Sequence, residues 1–244
     1  MVRFPRAAVE TAPLDEELET AAVWLSSQGV TVHRFHEKAM LRRRIALDSQ
    51  TLVIGRHPTM RAAMQQLAIP IPEPVDYPDC LRGALHRRIW RSTLGGARAA
   101  AASGASVFVK PARRSKRFTG TILDPACSDA LSGVSRRTPV WCAEVVQWQG
   151  EHRCFVQDGA IVDCRRYSGV GDVDLGVVAG WADLYARHGA PRGYAMDCGL
   201  LADGTTALVE CNDGFALGRY GAEVEGYVAV LAARWGEVVG MGEL

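Results

Sequence analysis

The stretch GYAMDCGLLADGTTALVECND, residues 193–213, reads as two strands joined by a tight turn, and its charged residues set the chemistry. GYAMDCGLL (193–201) and TALVECN (206–212) are apolar runs bracketing Asp203-Gly204, a pair that tolerates positive φ and marks a hairpin. Residues i and i+2 of a strand project to one side, so Glu210 and Asn212 leave the same face. Asp197 belongs to the first run and can lie opposite them. Two carboxylates and an amide oxygen are hard ligands, suited to Mg2+ bridging nucleotide phosphates and not to zinc. Two acids on a hairpin edge would be unremarkable, but an acid–x–Asn pair closing an otherwise apolar strand (Ala207, Leu208, Val209) is harder to read as a solvated surface.

A second signal is compositional. Of 28 basic residues only three are lysines, and two of them, Lys110 and Lys116, fall within VFVKPARRSKRFTG (107–120). In so arginine-rich a chain, a lysine beside a strand suggests a need for a compact ammonium, and phosphate contact is the commonest such need. Lys110 follows Val107 and Val109 and Pro111 ends the pairing. The next loop carries Arg113, Arg114, Lys116 and Arg117 before Gly120. The competing reading is a solvated basic loop. It is not a Walker A loop, because the glycine spacing and the closing Lys-Ser/Thr pair are missing.

Around these two stretches the pattern is mixed. The spacing predicts a helix over 15–28, a strand over 30–35, a short basic helix near 37–47, a strand at 51–55, and a helix from Thr59, its cap, to Ala68. IPIPEPVDYP (69–78) carries four prolines, and helical stretches near 79–88 and 92–102 follow. Strands are then expected at 105–110, 140–146, 152–157 and 160–167. Asp158-Gly159 is the strongest hairpin signal. Helices are expected at 174–188 and 223–238.

Hydrophobic content of 48% and charged content of 23% are those of a globular chain. No apolar run is long enough to span a membrane, and the N-terminal MVRFPRAAVETAPLDEELE has no signal-like h-region, so a cytoplasmic location is expected. Seven cysteines without a C-x-x-C pair fit reduced, mostly buried thiols. Residues 1–122 carry 19 basic and 10 acidic side chains, and residues 123–244 carry 9 and 17. That asymmetry suits two opposed surfaces across a cleft or two solvated faces. The Arg42–Arg44 run lacks interleaved aromatics, so a nucleic-acid partner rests on charge alone.

VFVKP (107–111), WCAEVVQW (141–148), EHRCFVQDGAIVDCRRY (151–167), YAMDCG (194–199) and LVECNDGFALGRYG (208–221) stand in the order found in ATP-grasp enzymes, which the chain resembles over about residues 85–235. The central motifs are similar to those of ribosomal-protein glutamate ligases. The ending, with RRIWRSTL (87–94), resembles a small clade labelled for two arginines and a lysine. The resemblance implies an α+β ATP-grasp fold, with nucleotide held between two antiparallel-sheet subdomains and a small α/β domain in front. The expected division is 1–90 for the N-terminal domain and 91–244 for the catalytic domain, split into 91–148 and a metal-binding 149–244.

By position, the resemblance implies that Lys110, Lys116 and Arg114 contact phosphates. Glu144, Val145 and Val146 would form the adenine hinge, with Glu151 beside the nucleotide. Arg153 with Arg165 or Arg166 would act on the phosphates or acyl phosphate. Asp197, Glu210 and Asn212 would hold Mg2+. The implied activity is an ATP- and Mg2+-dependent carboxylate–amine ligase acting on a peptide, protein or amino-acid carboxylate. A kinase on the same scaffold and a non-catalytic nucleic-acid- or protein-binding module are the alternatives. One departure is the phosphate loop, arginine-rich with only Gly120 where the family often has several glycines.

Overall fold

A computed structural model describes residues 4–12, 15–112, 118–127 and 131–241. The chain begins with β1 (Arg6–Ala12), α1 (Glu16–Ser27), β2 (Thr31–His36), α2 (Glu37–Leu41), β3 (Thr51–Ile54) and α3 (His57–Gln66). The strands pair in parallel in the order β2-β1-β3. Asp15 caps α1 by accepting the Leu18 amide at 3.2 Å, and Glu16, Glu17 and Glu19 complement the positive end of the helix.

Three expectations change here. β1 was not expected, yet it is the central strand. The basic helix stops at Leu41, because Arg43 turns into the left-handed region at φ 54°. The cap of α3 is Arg56, while Thr59 is buried inside the helix. Glu10, fully buried at the end of β1, accepts from the Arg56 amide at 2.9 Å and from Arg56 Nε at 2.7 Å.

The proline-rich segment 67–78 leads to a 3-10 turn, Asp79–Leu85, and to β4 (Ile89–Thr93), α4 (Leu94–Ala102), β5 (Val107–Pro111), β6 (Thr121–Leu123) and β7 (Pro139–Glu144). The four strands form an antiparallel sheet, β4-β7-β5-β6. Val107, Val109, Leu123, Val140 and Cys142 cover its back face against Leu94, Ala97 and Ala101 of α4. β4 and β6 were not expected, and β4 takes residues that helical spacing had claimed. In register, Lys110, Trp141 and Arg91 share the open face.

β8 (Trp148–Gln157), β9 (Ala160–Gly169), α5 (Leu175–Ala186), β10 (Gly193–Leu201), β11 (Thr206–Asp213) and α6 (Val224–Val238) complete the chain. They build a second antiparallel sheet, β11-β10-β8-β9. Asp158 and Gly159 turn β8 into β9 at φ 48° and 83°. The back face of this sheet packs on α5 and the 3-10 turn through Val156, Met196, Leu208 and Tyr185. Half of its front face, Phe155 and Ala195, lies beneath Tyr227, Val228 and Leu231 of α6, in a core shared with the parallel sheet. The other half carries charge. Cys154 and Cys164, expected as separate thiols, form a disulfide across β8 and β9, and the other five cysteines are free. Among the described residues no helix is long and apolar enough to cross a membrane.

Candidate active site

The register of the second sheet lines up four charged residues on one face. Arg165 opposes Arg153, Arg153 opposes Asp197, and Asp197 opposes Glu210. A β-bulge decides this. Leu208 pairs with Cys198, and Val209 is the extra residue before Glu210 meets Asp197. Without it Val209 would oppose Asp197, and Glu210 would join Met196 on the apolar face. Arg87 sits at the bulge, donating to the carbonyls of Leu208 and Val209 at 2.7 and 2.8 Å, with its guanidinium 5.1 Å from the Trp148 ring centroid. Burial lowers the pKa of Arg87.

Within the row, Arg153 grips Asp197 bidentately, Nε to Oδ1 at 2.8 Å and a terminal nitrogen to Oδ2 at 2.7 Å. Asn212 Nδ2 donates to the same Oδ2 at 3.0 Å. Burial works against the guanidinium charge, but Asp197 outweighs it and raises the Arg153 pKa. Burial also raises the Asp197 carboxyl above the ordinary aspartate value despite Arg153 and Asn212.

Lys110 crosses from the first sheet to meet this row. Its ammonium bonds Glu210, and Asp76 Oδ1 at 2.7 Å, over the face of Tyr77 at 4.5 Å. Burial would favour the neutral amine, but Glu210, Tyr77 and Asp76 prevail and raise the pKa. Burial also opposes Glu210, yet Lys110 brings that carboxyl below its usual value. Asp76, in the proline-rich segment, ties both sheets together. Its Oδ2 accepts from Trp141 Nε1 at 3.1 Å, and its carbonyl accepts the Cys211 amide at 2.8 Å.

The remaining expected residues divide. Glu151 lies at the rim of the row, accepts from the Tyr167 hydroxyl at 3.3 Å, and is raised by burial and then by Asp197 and Glu210. Glu144 ends β7, and its backbone and side chain both pair with the Arg88 backbone, at 3.0 and 2.9 Å. Val145 is exposed, and Val146 follows it into β8. Arg165 shares the charged face, but its guanidinium turns to Asp163 at 2.9 Å and Glu223 at 3.1 Å. Arg166 opposes His152 on the other face and bonds the Gly171 carbonyl and Asp172. It is therefore not in the cleft. Lys116 and Arg114 lie outside the described residues.

Asp76, Tyr77, Arg87 and Trp148 join the site without having been expected. Gly199 makes room for Trp148, since a Cβ there would stand 2.2 Å from the indole. Among the described residues no three His, Cys, Asp or Glu side chains group closely enough to hold a metal. Two carboxylates and one amide remain, a set that fits Mg2+ when phosphates supply further oxygens. The guanidinium and the ammonium bonded to those carboxylates mark where positive charge is favoured.

Two antiparallel sheets facing each other, with a lysine of one against the acidic row of the other and a small parallel sheet in front, define the ATP-grasp fold. More narrowly, the clade labelled for two arginines and a lysine has a second family whose ATP-grasp domain model matches residues 85–230, and the chain belongs to that family. No curated protein matches the chain significantly.

Solved structures show the same fold at low identity. The D-cycloserine synthetase DcsG is 16% identical with a TM-score of 0.62, over 94% of this chain and 99% of that one. A RimK domain ATP-grasp protein from Sphaerobacter thermophilus is 14% identical with a TM-score of 0.58, over 96% and 99%. The macrocyclase MdnC from Microcystis aeruginosa, bound with the precursor peptide MdnA, is 12% identical with a TM-score of 0.56, over 96% and 99%.

Proposed function

We propose that the chain is an ATP- and Mg2+-dependent carbon–nitrogen ligase that activates a carboxylate as an acyl phosphate for attack by an amine. The observation that carries this reading is the bond between Lys110 and Glu210, which joins the cationic strand of one sheet to the oxygen donors of the other.

In this reading Lys110 exchanges a carboxylate for phosphate oxygens while Asp76 keeps it in reach. Lys116 and Arg114 extend the phosphate contact from their loop. Glu144 to Val146, between the two sheets, present backbone groups to the adenine, and Glu151 lines the nucleotide at the rim. Asp197, Glu210 and Asn212 would hold Mg2+, which when bound neutralises charge on the transferring phosphoryl group. Arg153, fixed on Asp197, offers donors toward the charge that develops there. Arg165 is the second cation of that face, and Arg166 takes no part.

The carboxylate is assigned to a peptide, protein or amino acid. This rests on the fold's occurrence in a macrocyclase bound to a precursor peptide and in D-cycloserine synthetase.

The test is ADP release from purified protein with ATP and Mg2+ over a panel of carboxylates and amines. Free phosphate should equal ADP and require both substrates, and Glu210→Gln should abolish turnover. Phosphate retained on an acceptor would make the chain a kinase. ADP release unaffected by Glu210→Gln would remove the proposed site altogether.

A further inference from the structure

The segment after β11 joins the N-terminal domain to the charged row through one side chain. Phe215, Leu217 and Ala222 are buried in the core shared with the parallel sheet. Between them Glu17 of α1 accepts two backbone amides, Arg219 at 2.7 Å and Tyr220 at 3.0 Å. Tyr220 takes a left-handed conformation, φ 51°, followed by Gly221 at 77°. A non-glycine residue rarely adopts that conformation unless its surroundings hold it there. The ring so placed lies 4.4 Å from the guanidinium carbon of Arg153 and packs on Tyr167 with centroids 5.1 Å apart. It also fills the space beside Gly218, where a Cβ would stand 2.9 Å from it. Arg153 in turn holds Asp197.

We propose that Glu17 and Tyr220 are positioning residues for Arg153. Glu17 fixes the backbone of 219–220, Tyr220 closes one side of the guanidinium, and the N-terminal domain thereby sets where the catalytic arginine stands. The inference builds on the ligase reading for its kinetic consequence, but its structural content is independent of turnover. A cation–π contact over a desolvated guanidinium is worth enough that losing it should lower kcat about tenfold. The KM for ATP should stay within about twofold, because no nucleotide contact is removed.

The experiment compares Glu17→Ala, Glu17→Gln, Tyr220→Ala, Tyr220→Phe and the Glu17→Ala/Tyr220→Ala double variant. Each alanine variant should lose about tenfold in kcat, and the double variant no more than either alone, since both act through one ring. Tyr220→Phe, which keeps the ring, should restore the rate, and Glu17→Gln, which keeps one acceptor oxygen, should fall between. Independently of turnover, the Nε–H resonance of Arg153 in 15N-labelled protein should lose its ring-current shift equally in Glu17→Ala and Tyr220→Ala. A resonance that moves in Tyr220→Ala but not in Glu17→Ala overturns the proposal, as do additive losses or losses confined to KM. If the resonance behaves as expected while no variant, nor the parent, turns over ATP, the ligase reading fails and this one stands.

Discussion

Replacing Lys110 with methionine keeps the length of the side chain and removes its charge. The ammonium is 12% exposed, and its partners Asp76 and Glu210 are 20% and 26% exposed. Removing one member of a buried ion pair costs about 3–5 kcal/mol, because the other charge stays behind uncompensated. The partial exposure of both carboxylates screens some of this, so about 2–4 kcal/mol is expected near neutral pH, or about 5–15 °C in Tm for a chain of this size.

The pH dependence has a definite sign. Lys110 holds the Glu210 carboxyl below its usual value, so in the parent this stabilisation is full above the ordinary glutamate range and fades as pH falls through the depressed value. In Lys110→Met burial acts alone and pushes the carboxyl up, so the variant relieves its penalty by taking up a proton. Urea unfolding at about pH 7.5 and about pH 5 should show the gap between parent and variant narrowing at the lower pH. A loss under about 1 kcal/mol at the higher pH, or one independent of pH, would refute the argument.

Arg153→Lys keeps the charge but not the two-pronged grip on Asp197, and should cost about 1.5–3 kcal/mol in urea unfolding. Arg166→Ala, on the far face, should change stability by no more than about 0.5 kcal/mol and leave ADP release intact. Gly199→Ala should displace the Trp148 indole, visible in tryptophan fluorescence, and destabilise by about 1–3 kcal/mol. Denatured without reductant, the chain should titrate five thiols, and with reductant all seven; seven in both cases would contradict the Cys154–Cys164 pairing.

The elements most legible in the sequence were those with a local signature. Asp158-Gly159 and Asp203-Gly204 fixed the two hairpins of the second sheet, and the i, i+2 rule paired Glu210 with Asn212. Bulges were not legible, and they matter more. A regular hairpin about Asp158-Gly159 would set Cys154 against Asp163; the register shift between Phe155 and Val156 sets it against Cys164 instead. The bulge at Val209 likewise brings Glu210 to Asp197, and it is held by Arg87, more than a hundred residues away. β1 was missed because RAAVETA is short, alanine-rich and interrupted by Glu10, a fully buried carboxylate that reads as surface until Arg56 is seen beside it. Asp76 looked like one more polar residue in a proline-rich linker. Its role depends on Lys110 and Trp141, which only the fold brings near.

The structure of the chain with a non-hydrolysable ATP analogue and Mg2+ tests the central claim most directly. The account predicts the triphosphate between the sheets, Lys110 on its oxygens, and the metal on Asp197, Glu210 and Asn212. A nucleotide seated elsewhere, for example in the cavity of about 770 Å³ beside Trp90, Arg91 and Trp141, with Lys110 still on Glu210 and no metal there, would contradict it.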